Sequence, residues 1–118
     1  MNDDPPEELR LKDRGRTPEI GYAGGESFAL SSEFLRVESP SAEVKGHGPG
    51  QEVTVPGKRN VTILKLEPVG HYAVRIIFDD GHSTGLYTWR YLRQLSEHRE
   101  VRWNEYLARL DAEGLSRG

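Results

Sequence analysis

Residues 72–82, Tyr72-Ala73-Val74-Arg75-Ile76-Ile77-Phe78-Asp79-Asp80-Gly81-His82, decide how the chain folds. Tyr72, Val74, Ile76 and Phe78 recur at every second position. Side chains two apart leave a strand on one face, so the run reads as a strand with one buried side. Asp79-Asp80-Gly81-His82 supplies the residues of a tight turn, and Thr84 to Tyr87 continues as a further strand. Upstream, Val61, Ile63, Leu64 and Leu66 form the preceding strand, with Gly70 at the bend between the two. This pair is expected at the centre of the sheet. Downstream, Thr88 is placed to cap a helix over Trp89 to Leu95, and Ser96 to cap a second one.

The same order recurs nearer the N-terminus. Leu9 and Leu11, then Ile20 and Tyr22, suggest two strands around Asp13-Arg14-Gly15-Arg16, and Ser27 to Leu30 a third after Gly24-Gly25. Ser31 or Ser32 is placed to cap a short helix carrying Phe34 and Leu35. Aligning Ile20 to Leu30 with Ile76 to Leu86 keeps the apolar positions and one turn glycine in register. One residue later, Glu33 to Arg36 matches Arg90 to Arg93. Two copies of strand, turn, strand and helix, each too small to bury its own face, are expected to pack together.

At the C-terminal end, Val101, Trp103, Tyr106, Leu107 and Leu110 recur at three- and four-residue spacing, as one buried helical stripe would. Gly114 is a natural stop. The fold is therefore read as α+β: a largely antiparallel sheet built from two related strand-turn-strand-helix units, plus a C-terminal amphipathic helix. Its expected core is Ile20, Phe28, Leu30, Leu35, Ile63, Leu66, Val74, Ile76, Phe78, Leu86, Trp89, Leu92, Trp103 and Leu107. Residues 1–8 are read as a flexible acidic lead-in, 9–113 as one domain and 114–118 as a tail.

Composition narrows the function. With 16 basic and 19 acidic side chains, the net charge of -3 gives no basic excess to displace counterions from nucleic acid. No apolar run reaches the length of a membrane helix. The first ten residues are acidic and Pro-rich, where a signal peptide needs basic and then apolar residues. There is no cysteine, which fits a reducing compartment, so a cytoplasmic protein is expected.

No catalytic set emerges. Ser39, Ser41 and Ser83 lie in no nucleophile-elbow pattern, and Gly46-His47-Gly48-Pro49-Gly50 lacks the lysine of a phosphate loop. The long Gly- and Pro-rich stretch 39–58 and the turn Asp79 to His82 are the places where backbone can approach a partner. The residues singled out for partner contact are Ser39, Pro40, Glu43, Gly46, His47, Gly48, Gly50, Asp79 and His82. His82, His47 and Asp80 are the metal-ligand candidates, since imidazole and carboxylate suit zinc or iron, although no local spacing fixes them.

Leu35 to Gln51, with Val69 to Val74 and Phe78 to Tyr87, resembles the gamma-butyrobetaine hydroxylase N-terminal-like domain family, whose small bacterial members stand alone. In the hydroxylases this domain precedes an iron- and 2-oxoglutarate-dependent catalytic domain, and nothing similar to that second domain is present in these 118 residues. The resemblance implies a zinc site made by a Cys-Pro-Cys-x-x-Cys segment and the histidine of Asp-Gly-His. Here those positions read Ser39, Ser41, Val44 and His82. It also extends to domains fused to iron–sulfur scaffold ATPases.

The expected function is a non-enzymatic binding or adaptor domain that requires no cofactor, monomeric or weakly dimeric, whose partner is another protein. The alternative is a metal-binding accessory protein, for iron or zinc, linked to iron or iron–sulfur cluster maintenance.

Overall fold

The computed structural model describes residues 5–41, 44 and 53–118. Among these, β1 (Glu8–Lys12), β2 (Thr17–Gly21) and β3 (Ser27–Ala29) form one antiparallel sheet, followed by α1 (Ser32–Val37). β4 (Ile63–Val69), β5 (Ala73–Phe78) and β6 (Leu86–Thr88) form a second, followed by α2 (Trp89–Glu97) and α3 (Arg99–Ala112). The protein is α+β, and the two halves repeat one plan: three antiparallel strands, then a capped helix.

The caps match across the halves. The Ser31 hydroxyl accepts from the Phe34 N–H at 3.0 Å and the Thr88 hydroxyl from the Tyr91 N–H at 3.1 Å. Each satisfies a first-turn donor that the helix itself cannot. Ser96 caps nothing: it lies inside α2 and donates to the Leu92 carbonyl, while His98 holds the N-cap position of α3.

Neither sheet could bury its apolar face alone, and one shared core solves this for both. Ile20, Leu30, Phe34 and Leu35 from the first half pack with Ile63, Val74, Ile76, Phe78, Tyr87, Leu92 and Leu95 from the second. Fully burying an Ile or Phe side chain contributes about 1.5–3 kcal/mol, so this interface dominates the fold's stability. The turn after β1 seals it. Gly15 has φ +84° and lies so close to Ile63 that a Cβ would overlap the Ile63 carbonyl oxygen, and Ser32 donates its hydroxyl to the Gly15 carbonyl.

Four expectations change. The strands over 61–66 and 72–78 do not sit at the centre of one sheet: β5 is central in its own sheet and β4 is an edge. Pro68, with no N–H to give a neighbour, fits that edge. A register shift between Ile63 and Lys65 turns Leu64 out of the ladder into solvent. Tyr72 lies in the turn and is exposed, so β5 begins at Ala73. Val101 is 61% exposed rather than part of the stripe, because it stands about 160° around the helix from Trp103 at ~100° per residue. Trp103, Tyr106 and Leu110 make the contact instead.

The last residues are tied down. Gly57 and Arg59 donate their N–H groups to the Ser116 and Arg117 carbonyls, both at 2.9 Å. The Arg117 guanidinium grips both Glu33 oxygens at 2.6 and 2.8 Å and lies over the Trp103 ring.

Candidate functional site

The turn between β5 and β6 meets the segment leaving α1, and this junction gathers the described candidate residues. The Asp80 carboxylate accepts from the His82 N–H at 3.0 Å, which shapes the turn. It also accepts from Arg36 Nε at 2.7 Å and pairs with Lys58 Nζ at 2.6 Å. Burial alone would raise the Asp80 carboxyl, but hydrogen bonds from Lys58, the His82 N–H and Arg36 hold it down at about 2.

Closing the turn buries the His82 ring, which is 6% exposed and packs beside Phe78. Its Nε2 shares a hydrogen bond of 2.8 Å with Oγ of Ser39, which is 0% exposed. The Ser41 N–H points to the same oxygen at 3.4 Å. Gly85 makes room for this contact, since a Cβ there would overlap Ser39 Oγ and crowd Pro40. Tyr87 lies beneath, fully buried, donating to the Leu35 carbonyl, and burial drives its phenol well above the ordinary range. Tyr91 donates to the Glu38 carbonyl at 2.5 Å, and Arg102 pairs with the Glu38 carboxylate at 3.2 Å.

The far end of the segment is fastened as well. The Val53 N–H donates to the Val44 carbonyl at 2.6 Å, Thr54 donates to Glu113 at 2.5 Å, and Tyr106 donates to the Val55 carbonyl at 2.5 Å. Both ends of residues 39–55 are thus pinned to the domain.

Of the sequence candidates, the structure brings Ser39, Asp80 and His82 together. Asp79 is exposed and bonds Thr62 through both carboxylate oxygens, while Pro40 is partly buried beside Gly85. Glu43, Gly46, His47, Gly48 and Gly50 lie outside the described residues. Sequence reasoning missed Arg36, Lys58, Gly85 and Tyr87. The internal alignment carried a signal for Arg36, which it sets opposite Arg93, another helix arginine that grips a turn carboxylate.

The donors here do not fit the zinc site implied by the resemblance. Ser39 and Ser41 offer neutral hydroxyls in place of thiolates, and Val44 offers no donor. The His82 nitrogen is engaged by Ser39, and the Asp80 carboxylate is shared between two cations. Among the described residues no group of three or more His, Cys, Asp or Glu side chains is arranged to hold a metal ion. Ser39 and His82 also have the spacing of a nucleophile and its base, but an enclosed hydroxyl gives a substrate no approach.

A small α+β domain with a hydrogen-bonded polar centre is the class that fold and site define. The family model for gamma-butyrobetaine hydroxylase-like, N-terminal domains matches residues 9–93, and the chain belongs to that family. No curated protein matches the chain. Among solved structures it is similar to two proteins with NMR solution structures. One is 45% identical with a TM-score of 0.82, covering 96% of this chain and 89% of that one. The other is 50% identical with a TM-score of 0.81, covering 96% and 84%. It is also similar to a crystallised protein of unknown function from Acidithiobacillus ferrooxidans, of the DUF971 family, at 40% identity and a TM-score of 0.65, over 81% and 97% of the two chains. Among the described residues no helix is long and apolar enough to cross a membrane.

Proposed function

We propose that this protein is a non-enzymatic binding domain whose partner is another protein, with the segment 39–51 and the turn Asp79 to His82 forming the contact surface. The observation that carries this reading is the anchoring of that segment: a buried hydrogen bond at Ser39 and part-buried ones at Glu38, Thr54 and Val55 tie both ends to the rest of the domain. Binding residues commonly sit on loops that a scaffold positions in this way. The internal partners of His82 and Asp80 favour this over the metal reading, because ligation by either would first break a bond they already make.

The test is capture of a partner from cells producing the untagged protein, followed by binary binding of the two purified proteins. Asp79→Arg should weaken that binding about tenfold, as a reversed charge at an interface does. Stoichiometric zinc or iron(II) binding lost in His82→Ala would instead establish the accessory metal protein.

A further inference from the structure

Residues 115–118 run back along residues 57–59. Gly114, at φ +68° with open space around it, ends α3 and turns the chain. The ties that follow are polar: the Ser116 and Arg117 carbonyls accept from the Gly57 and Arg59 N–H groups, the Gly118 carbonyl accepts from Arg59 Nε at 2.9 Å, and the Arg117 guanidinium holds Glu33. Leu115, Ser116 and Gly118 stay exposed, and Arg117 is half-buried. A segment that buries so little apolar surface opens at the low end of a protein's range of local stabilities.

What this segment fixes is Lys58. Both of its neighbours are bonded to residues 116 and 117, and its ammonium reaches Asp80 at 2.6 Å beside a cleft of about 280 Å³ that Asp79, Asp80, Arg117 and Gly118 help to line. Asp80 in turn accepts the His82 N–H. Contacts therefore run without a gap from Arg117 on Glu33, through the 57–59 pairing and Lys58, to the turn that delivers His82 to Ser39. Arg36 holds Asp80 independently, so losing Lys58 loosens the turn without dissolving it. We infer that residues 115–118 are a strap that controls the turn Asp79 to His82: docked, the strap holds Lys58 on Asp80, and lifted about Gly114 it releases Lys58 and lets the turn relax. The inference rests on the binding reading, which it deepens by naming what regulates the contact surface.

The experiment measures amide hydrogen exchange by NMR on the full chain, for the wild type, Arg117→Ala, Lys58→Ala and the double variant. Arg117→Ala should speed exchange at Gly57 and Arg59 at least about tenfold and at His82 about threefold or more, while the slowest amides of β2 and β5 keep their wild-type rates. Lys58→Ala should speed His82 by a similar factor, and adding Arg117→Ala should speed it no further, because the coupling passes through Lys58. If the charge stranded on Glu33 unfolds Arg117→Ala, adding Glu33→Gln removes that charge and the same pattern is expected. Wild-type rates at Gly57 and Arg59 or at His82 in Arg117→Ala, a further gain at His82 in the double variant, or equal acceleration in β2 and β5 would overturn the inference. Exchange is read without a partner, so none of these outcomes touches the binding reading, which is tested by partner capture and metal titration.

Discussion

Arg36, on the helix of the first half, holds Asp80, in the turn of the second, at 2.7 Å. The clasp is reciprocated: Arg93, on the helix of the second half, grips Glu26 in the turn of the first through both oxygens, at 2.6 and 3.0 Å. Each half therefore fastens the other's hairpin turn, and the Asp80 side of the clasp also orders the turn that delivers His82 to Ser39.

Acid should weaken this arrangement. An Asp80 carboxyl held at about 2 in the folded protein contributes stability at neutral pH that is lost as pH falls from about 4 towards 2. Screening at a partly exposed site leaves about 1 kcal/mol of effect. Urea unfolding between pH 6 and pH 2.5 should show that loss in the wild type, and a flatter acid limb in Asp80→Asn.

The reciprocal clasp gives a second expectation. Arg93 stacks over the Tyr22 and Phe28 rings at 4.8 and 5.3 Å besides its two carboxylates. Arg93→Ala should cost about 1–2 kcal/mol, and Arg93→Lys rather less, because lysine keeps the charge without the planar fork. Chemical denaturation of the three proteins separates them.

Ser39→Ala removes the partner of a buried imidazole nitrogen. The expected loss is about 1–3 kcal/mol in unfolding free energy. His82 ring signals in NMR should move in the folded variant, while those of His71 at the opposite end of the β4–β5 hairpin stay in place.

Gly85→Ala drives a methyl group into Ser39 Oγ and should cost about 1–3 kcal/mol by overpacking. Gly15→Ala should be worse, since it combines positive φ with a rigid backbone obstacle at Ile63. Differential scanning calorimetry should rank them in that order below the wild type.

The architecture was legible where periodicity was strong. Alternation at Val74, Ile76 and Phe78 and the caps at Ser31 and Thr88 correspond to observed elements, whereas setting Ile20 to Leu30 against Ile76 to Leu86 places β3 opposite residues 83–85, ahead of β6. Leu64 and Val101 were misread because an apolar residue carries no mark of a bulge or of its angle around a helix. Tyr87 and Tyr106 are both fully buried and were absent from the expected core. Their hydroxyls reach the Leu35 and Val55 carbonyls, partners 52 and 51 residues away that spacing does not reveal. The clasp through Arg36 and Lys58 was hidden for the same reason, whereas His82 and Asp80 stood out because a turn motif placed them together.

The most direct test of the central claim is metal titration of the untagged protein, wild type against His82→Ala, with zinc and iron(II) followed by calorimetry and elemental analysis. A binding domain whose His82 is engaged by Ser39 predicts no stoichiometric uptake by either protein. One metal ion per chain in the wild type, lost in His82→Ala, would contradict it.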